Sequence, residues 1–337
     1  MPDTLPSRRF VQALADGDNV EEVYLVLDKQ LRANRNGNLF LQLELRDRTG
    51  SISARLWNAG EAQFRSFESG DFLLVKGKVQ LFQGALQMIL NGLSRVPGER
   101  VDLADFLPHT EKDVSKLYER LRTLLRSLGD PHLRALVESF LMDESFTQAF
   151  CRAPAGIRNH HAYIGGLLEH VVCMLEAADR LAPLYPDLNR DLFLMGVFLH
   201  DIGKVRELTF DRNFAYSDEG QLIGHLVIGV EMLQTMVVRA AQLTGEPFPN
   251  ELLLRLKHLI LSHHGTHEFG SPRLPMTPEA IALHHLDNLD AKLHTFTREI
   301  KEDPNPGSSW TPFNQSLNRR LFKGGSAQAI DHEDEPE

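Results

Sequence analysis

Cysteine is scarce in this chain: the 337 residues include only Cys151 and Cys173, and no CxxC pair occurs. This scarcity excludes a disulfide framework and a thiolate zinc site. Apolar runs stay shorter than the ~18–20 residues of a membrane-spanning helix, and the N-terminal MPDTLPSRRF lacks the apolar core of a secretory signal. Neither a glycine-rich phosphate loop after a strand nor a βαβ alternation is found. We therefore expect a cytoplasmic protein with no membrane partner and no parallel α/β fold.

A surplus of basic charge is also missing, because the net charge is −10. This argues against a broadly basic coat for nucleic acid. The charge is uneven, however. The first hundred residues carry 13 Lys and Arg against 12 Asp and Glu, so the remaining 23 basic and 34 acidic residues account for the whole deficit. Five of these acids lie in the last seven residues, DHEDEPE, which we interpret as a solvated, disordered end.

Histidine, by contrast, is abundant and concentrated in one part of the chain. Twelve of the 15 histidines lie between His160 and His294. Random placement would put roughly half as many there. This segment therefore uses imidazole for a purpose, and catalysis or metal binding are the usual ones.

From Val20 to Val96 apolar and polar residues alternate, as they do in half-buried strands. Every leucine of LFLQLELRD points to one side, and SISARLW and DFLLVKGKVQLFQG continue the pattern. A short helical segment, GEAQFRSFESG, separates the third strand from the fourth. Five strands with one interposed helix predict a closed β-barrel of the OB type over residues 10–98.

The outward faces of these predicted strands carry aromatic rings beside cations. Rings that stack on bases and cations that hold phosphates are typical of surfaces for single-stranded nucleic acid. The alternative is that the second domain covers these rings. The predicted nucleic-acid-binding residues are Phe40, Arg55, Trp57, Lys76, Lys78 and Phe82.

After residue 98 the pattern changes. Residues 99–114 carry proline, glycine and charge without a period, which predicts a linker. Over residues 115–302 apolar residues recur with a period of 3.6, which predicts an all-α domain. Residues 303–337 are irregular and end in the acidic segment, so we expect a partly disordered tail. The predicted fold class is multidomain α+β: a small N-terminal β-barrel (OB-fold) followed by an all-α helical domain.

Polar side chains interrupt the apolar faces of three predicted helices. His170 lies in LLEHVVCML, His200 and Asp201 end the apolar RDLFLMGVFL, and Asp287 lies in LHHLDNLDAKL. Any one of them alone is more typical of a hydrogen-bonded core group. Burying all of them without partners would cost several kcal/mol each, and a shared cation removes that cost. Imidazole and carboxylate ligands without thiolate suit Mn²⁺, Fe²⁺, Co²⁺ or Zn²⁺.

Three more histidines could bind a second ion. They are His225 in LIGHLVIG, and His263 and His264 in LSHHG. Asp201 can bridge two ions through its two oxygens. Two ions about 3.5–4 Å apart would clamp a phosphoester and generate hydroxide at neutral pH. The pattern therefore permits a two-metal site of the kind that hydrolyses phosphoesters.

The order His170, His200, Asp201, Asp287 resembles the H…HD…D signature of the HD phosphohydrolase superfamily. Longer segments are similar to the YhaM-type 3′→5′ exoribonucleases, which also carry an N-terminal OB domain. These segments are PAGIRNHHAYIGGLLEHVVCML, HDIGKVREL, YSDEGQLIGHLVIGVEML and SHHGTHEFGSPRLPMTPEAIALHHLDNLDAKL. The resemblance covers roughly residues 10–300 and implies that the all-α domain is of the HD type.

The resemblance also implies roles for single residues. The implied metal ligands are His170, His200, Asp201, His225, His263, His264 and Asp287, with the choice between His263 and His264 left open. The implied catalytic residues are Asp201, Lys204, His160 and His161. Lys204 would approach the substrate phosphate, and the two histidines would contact the phosphate or the leaving group. A solvated helix end is the alternative for Lys204, and a structural role is the alternative for His160 and His161.

The resemblance implies a metal-dependent phosphodiesterase that acts as a 3′→5′ exonuclease on single-stranded RNA through metal-activated hydroxide. The residues themselves also permit single-stranded DNA. We expect two divalent ions, Mn²⁺ before Fe²⁺, Co²⁺, Ni²⁺ or Zn²⁺. One alternative is a small-molecule HD phosphohydrolase, either a nucleotidase or a cyclic-nucleotide phosphodiesterase, against which the predicted OB surface argues. The other is a non-catalytic nucleic-acid-binding protein, which gives no reason to bury the histidines and aspartates.

Overall fold

The computed structural model describes residues 8–34, 36–82, 85–157, 161–210, 214–301, 303, 308–315 and 317–324. Strands dominate the N-terminal part of these ranges, and helices dominate the part after residue 113. This division agrees with the change from a period of two to a period of 3.6 in the sequence.

Five strands form a closed barrel. They are β1 (Asn19–Ala33), β2 (Leu39–Asp47), β3 (Gly50–Trp57), β4 (Phe72–Phe82) and β5 (Ala85–Val96). Their order is β1-β2-β3-β5-β4, and β3 and β5 close the barrel as a parallel pair. A one-turn helix, α1 (Glu61–Phe64), lies between the third strand and the fourth. The barrel with its interposed helix confirms the first half of the predicted fold class.

Alternating leucines fill the barrel. Leu41, Leu43 and Leu45 of β2 are at most 1% exposed, and burying each stabilises the fold by about 1.5–3 kcal/mol relative to exposure. Gly77 lies where β4 shifts its register against β5. A Cβ at this position would approach the carbonyl oxygen of Ile89 to 2.5 Å. Only glycine allows the two strands to come this close.

The second part is helical. Its helices are α2 (Val114–Arg126), α3 (Pro131–Leu141), α4 (Glu144–Arg152), α5 (Gly166–Leu181), α6 (Arg190–Leu199), α7 (Lys204–Glu207), α8 (Asp218–Leu222), α9 (His225–Thr244), α10 (Asn250–Ser262) and α11 (Pro278–Lys301). Two short strands, β6 (Leu208–Thr209) and β7 (Ala215–Tyr216), form a hairpin between α7 and α8. Asx side chains cap α2, α3, α4 and α6 at their N-termini, as helix starts require. The all-α second half of the predicted fold class is confirmed.

Helix α6 lies at the centre of the helical core. Every residue from Leu192 to Leu199 is buried, and α5, α10 and α11 pack against it. The ring of Phe198 contacts the rings of Phe140 and Phe150 from α3 and α4. Because α6 is apolar on every side, the residues directly after it are delivered into the interior of the domain.

Among the described helices, α9 alone is long and apolar enough to cross a membrane by length and composition. In this structure it packs against α3 and α10. Its residues Leu233, Met236 and Val237 are buried in the helical core. The apolar character of α9 is therefore used, at least in part, for packing within the domain.

The segment between β5 and α2 packs against both parts of the chain. Phe106 is fully buried against Leu25 and Phe72 of the barrel. Thr110 donates its backbone N–H to the carbonyl oxygen of Ile164, just before α5. The predicted linker thus contacts the barrel on one side and the start of a site-bearing helix on the other.

Residues 308–315 and 317–324, here called the C-terminal hairpin, fold back on themselves. Antiparallel bridges join Trp310 to Phe322 and Asn314 to Arg319. The acidic end over residues 325–337 lies outside the described residues. Its predicted disorder therefore stays a prediction.

Candidate metal centre

Seven of the predicted site residues, from five helices or their ends, meet inside the helical domain. They are His170 in α5, His200 and Asp201 directly after α6, His225 at the start of α9, His263 and His264 directly after α10, and Asp287 in α11. Gly203 lets the turn after α6 touch the start of α9, because a Cβ there would lie 2.1 Å from the carbonyl oxygen of His225. The convergence that the sequence pattern predicts is present.

One group of donor atoms lies around His170 and His200, which are both fully buried. The Nε2 atom of His170 is 3.3 Å from Nε2 of His200 and 3.4 Å from Oδ1 of Asp287. Oδ2 of Asp201 lies 3.3 Å from Nε2 of His200. Donor atoms of His170, His200 and Asp201 lie within 4.8 Å of one another, and so do those of His200, His263 and Asp287.

A second group lies on the other side of Asp201. Oδ1 of this carboxylate is 3.5 Å from Nε2 of His225 and 3.7 Å from Nε2 of His263. Donor atoms of His225, His263 and His264 lie within 4.8 Å of one another. Asp201 therefore faces one group with each of its two oxygens.

The five histidines of the two groups share one feature, a hydrogen-bond partner for Nδ1. In His170, His200, His225 and His263, Nε2 lies within 4.0 Å of an oxygen of Asp201. A proton on Nδ1 leaves the lone pair on Nε2, which is the form that binds metal. Each Nδ1 donates a hydrogen bond. The acceptors are the Asp290 carboxylate for His170 (2.7 Å), the Val197 carbonyl for His200 (2.7 Å), the Glu207 carboxylate for His225 (2.9 Å), the Ile260 carbonyl for His263 (2.8 Å) and the Phe269 carbonyl for His264 (2.9 Å).

Burial and charge together keep Asp201 ionised. Burial opposes its ionisation, but the charges of Lys204 and His200 outweigh this, and the pKa of the Asp201 carboxyl lies well below its ordinary value. Burial also lowers the pKa of His263 well below its ordinary value, with a contribution from His200. A carboxylate beside a neutral imidazole is the state in which both bind a cation.

His170 differs from the other histidines in its protonation. Burial opposes its charge, but the carboxylates of Asp287 and Asp290 raise the pKa of His170 to about 9. In the absence of metal this imidazole holds a proton between the two aspartates. A divalent cation would displace that proton, since its positive charge replaces the proton's.

The donor set fits a divalent cation. Oδ1 of Asp201 and Nε2 of His225 are buried, and neither has a hydrogen-bond partner among the described residues. Buried polar atoms without a partner are rare in folded proteins and point to a missing ligand. Imidazole and carboxylate donors without thiolate suit cations of intermediate hardness. We conclude that these residues can hold a divalent metal ion.

Lys204 lies inside the centre, not at a solvated helix end. Its Nζ is 2.6 Å from Oδ2 of Asp201 and donates to the carbonyl oxygen of Ala155 at 2.7 Å. Burial opposes its charge, yet the adjacent Asp201 raises the pKa of Lys204 above its ordinary value. The centre thus contains a charged ammonium group next to the carboxylate that both histidine groups share.

His161 lies next to the metal centre and contacts residues behind it. Its Nε2 is 3.1 Å from Oδ2 of Asp290, and its Nδ1 is 2.7 Å from the hydroxyl of Tyr163. The ring is 4% exposed, and it packs on the ring of His294. The predicted substrate contact of His161 stays a prediction. His160 lies outside the described residues, so its predicted role stays a prediction.

Two residues that hold histidines of the centre, Glu207 and Asp290, were not among the predicted site residues. Glu207 is the last residue of α7 and accepts hydrogen bonds from both the backbone and the ring of His225. Asp290 lies one turn after Asp287 and holds His170. The helical spacing of Asp290 from Asp287 was a usable signal. For Glu207 none existed, because its partner lies 18 residues away.

Replacing Asp290 with asparagine should weaken divalent metal binding. The amide cannot supply the charge that holds the His170 ring, so we expect about a 10–100-fold loss of affinity. Titration calorimetry with Mn²⁺ measures the effect. Glu169→Gln is a matched control. Like Asp290, Glu169 is a part-buried carboxylate on a helix, but it lies on α5 and accepts a hydrogen bond from the hydroxyl of Thr110. An affinity unchanged in Asp290→Asn would show that this carboxylate does not orient His170.

Four residues of the predicted nucleic-acid surface lie together on the barrel; they are here called the barrel face. Phe40 and Trp57 pair across β2 and β3 with ring centroids 4.9 Å apart. The guanidinium of Arg55 lies 5.7 Å from the ring of Phe82. Trp57 and Phe82 are 43% and 44% exposed, so the helical domain does not cover them.

Lys76 and Lys78 lie on β4, outside the barrel face. Lys76 forms an ion pair with Glu21 of β1 at 2.6 Å, so part of its charge is neutralised. Lys78 lies opposite Ile89 of β5, and its side chain is exposed. Their predicted contact with phosphates stays a prediction.

Comparison with known proteins covers both parts of the chain. Residues 167–292 match the model of the HD domain family, and residues 25–96 match that of an OB-fold nucleic acid binding domain. Among solved structures, a replication protein A domain from Methanococcus maripaludis matches 26% of this chain and 93% of its own length at 24% identity, with a TM-score of 0.23. The family membership of the chain rests on its sequence relatives.

Relatives similar over nearly the whole chain carry the name 3'-5' exoribonuclease YhaM. Those of Bacillus pumilus and Geobacillus sp. are 34% identical over 91% of this chain, covering 95% and 92% of their own lengths. That of Bacillus subtilis is 35% identical, over 91% of this chain and 95% of its own length. At such identity and coverage, this chain belongs to the YhaM family of HD-domain proteins.

Proposed function

We propose that the protein is a metal-dependent phosphodiesterase that removes nucleotides from the 3′ end of single-stranded RNA. One observation carries the proposal: the carboxylate of Asp201 lies between two groups of histidines. The names of the relatives support the direction and the RNA substrate. The barrel face supports a single-stranded substrate, since bare aromatic rings stack on unpaired bases.

We further propose two divalent ions, with Mn²⁺ ahead of Fe²⁺, Co²⁺, Ni²⁺ and Zn²⁺. The residues that would hold the first ion are His170, His200, Asp201 and Asp287. The residues that would hold the second are Asp201, His225, His263 and His264. When bound, such ions acidify water at neutral pH and offset the negative charge that develops on a phosphoryl group.

The chain's own groups prepare the site for a polyanion. Lys204 places a positive charge 2.6 Å from Oδ2 of Asp201, so a phosphate that enters here meets a cation in a site largely shielded from water. Such a charge is worth far more than it would be in water. Asp201 stays ionised near neutral pH because its pKa is lowered. No protein nucleophile is required for this hydrolysis.

End-labelled substrates test the proposed function. Single-stranded RNA and single-stranded DNA of the same sequence are incubated with Mn²⁺ and the purified protein, each labelled at one end and then at the other. We expect a ladder of 5′-labelled RNA that shortens from the 3′ end. Cleavage of mononucleotides with intact RNA would instead support the small-molecule phosphohydrolase. Equal ladders from RNA and DNA would broaden the substrate to single strands of both kinds.

Trp57→Ala should weaken the binding of long single strands. Loss of one stacked base costs about 1–3 kcal/mol, so we expect at least about a fivefold higher dissociation constant for a 20-nucleotide RNA. Fluorescence anisotropy with labelled RNA measures it, and Trp57→Phe, which keeps a ring against Phe40, is the matched control. If Trp57→Ala binds and degrades long RNA like the unmodified chain, the barrel face is not where RNA binds.

A further inference from the structure

The C-terminal hairpin presents aromatic rings on an exposed surface of its own. Trp310 and Phe322 form a bridge, and their ring centroids are 5.1 Å apart. They are 45% and 58% exposed. Side chains alternate between the two faces of a strand pair, and accordingly the neighbouring Thr311 and Leu321 are only 4% exposed. One face of the hairpin is anchored, and the other displays the two rings.

The hairpin is held at the end of the helix that carries Asp287. Asn314 donates to Glu299 of α11 at 2.7 Å, and Lys323 forms an ion pair with the buried Asp303. Glu299 lies twelve residues after Asp287, which corresponds to about 18 Å along a helix. A single strand of several nucleotides could therefore contact the hairpin while its end lies at the metal centre.

The charge of the hairpin suits a polyanion. Residues 308–324 contain no Asp or Glu, although the chain as a whole carries a net charge of −10. Its cations are Arg319, Arg320 and Lys323. The first two are exposed, and Arg320 donates through Nε to the backbone of Thr311, next to Trp310. A protein partner would not require this absence of acidic groups, whereas a phosphate backbone favours it.

The barrel face has the same composition. The chain contains two tryptophans, and both are more than two-fifths exposed. Trp57 pairs with Phe40 at 4.9 Å, and Trp310 pairs with Phe322 at 5.1 Å. Arginine lies close by in both places. A tryptophan that stays exposed to water does not gain the stabilisation that burial of its large apolar surface provides, unless a ligand covers it.

From these contacts we propose that the C-terminal hairpin is a second binding surface for single-stranded RNA, with Trp310 and Phe322 stacking on bases and the arginines holding phosphates. The inference rests on the proposed RNA substrate and extends it. Long strands contact both the barrel face and the hairpin, whereas strands of a few nucleotides contact only the metal centre and its surroundings. The hairpin therefore favours long substrates over short ones.

The test uses the fluorescence of Trp310 in the full chain. Trp57→Phe leaves Trp310 as the single tryptophan, and Asp201→Ala prevents cleavage during the titration. We expect saturable quenching by a 20-nucleotide oligouridylate and none by a four-nucleotide one. In the Asp201→Ala chain, Trp310→Ala should raise the dissociation constant for the long RNA at least about fivefold. Tyr185→Ala, which removes an exposed ring elsewhere (59% exposed), should leave it unchanged.

Two results would overturn the inference. The first is unchanged Trp310 emission at RNA concentrations that saturate the chain by anisotropy. The second is a Trp310→Ala chain that binds RNA normally but sediments as a smaller species, which would make the hairpin a contact between copies of the chain. Cleavage is measured separately on the chain without Asp201→Ala. Quenching without cleavage would support this RNA surface while contradicting the proposed exonuclease.

Discussion

Replacing Asp201 with alanine is expected to reduce RNA hydrolysis at least about a thousandfold while single-strand binding is retained. This carboxylate faces both histidine groups, with Oδ2 near His200 and Oδ1 near His225. Its loss removes a donor atom from each group. Binding should survive, because the barrel face lies in the other domain. Single-turnover cleavage and anisotropy with the same RNA measure the two properties.

Glu279→Gln is the control for the loss of a buried carboxylate. Glu279 is 1% exposed, accepts a hydrogen bond from the backbone of Asn189 and pairs with Arg255, away from the metal centre. We expect a lower melting temperature but normal hydrolysis per folded molecule. Equal losses of cleavage and binding in Asp201→Ala would contradict the division of the two tasks between the domains.

Lys204→Met is expected to lower the rate of hydrolysis by about 10²–10³ while the metal content stays unchanged. We propose that the ammonium next to Asp201 stabilises charge on a phosphoryl group. Methionine keeps the length and apolar stem of the side chain. Since Lys204 carries positive charge and is not a metal ligand, its loss should not weaken cation binding. Steady-state kinetics and elemental analysis of the same preparation measure both effects.

Lys112→Met is the matched control for Lys204→Met. Lys112 also pairs with a carboxylate, Glu169 of α5, but its side chain is 58% exposed. We expect hydrolysis within about twofold of the unmodified chain, because exposed ion pairs contribute little. Loss of metal from Lys204→Met would show that the lysine maintains the site. An unchanged rate would remove it from the catalytic groups.

The periodicity of apolar residues was sufficient to predict most of the fold. The alternation in β2 was sufficient to predict which leucines fill the barrel, because a strand side chain has only two directions. The apolar length of α6 was sufficient to predict that His200 and Asp201 would be buried. The packing of Phe106 against Phe72 was not predictable, because the segment that contains it has no period and its contacts are set by distant residues.

The candidate metal ligands were predictable from the sequence. The residues that form hydrogen bonds with those ligands were less predictable. Imidazole and carboxylate inside apolar helices are unusual enough to be found one by one. The residues behind them are not unusual: Glu207 looks like any acidic residue at a helix end, and its bond to His225 exists only in the folded chain. The same holds for Lys76, whose ion pair with Glu21 forms only where β4 meets β1.

The metal content of the active protein tests the central claim most directly. Elemental analysis of the purified chain, reloaded with Mn²⁺ after chelation, should give about two ions per chain, with hydrolysis absent after chelation and restored on reloading. The Asp201→Ala chain should retain less metal under the same conditions. A chain that hydrolyses RNA at its full rate after its divalent ions have been removed would contradict the account.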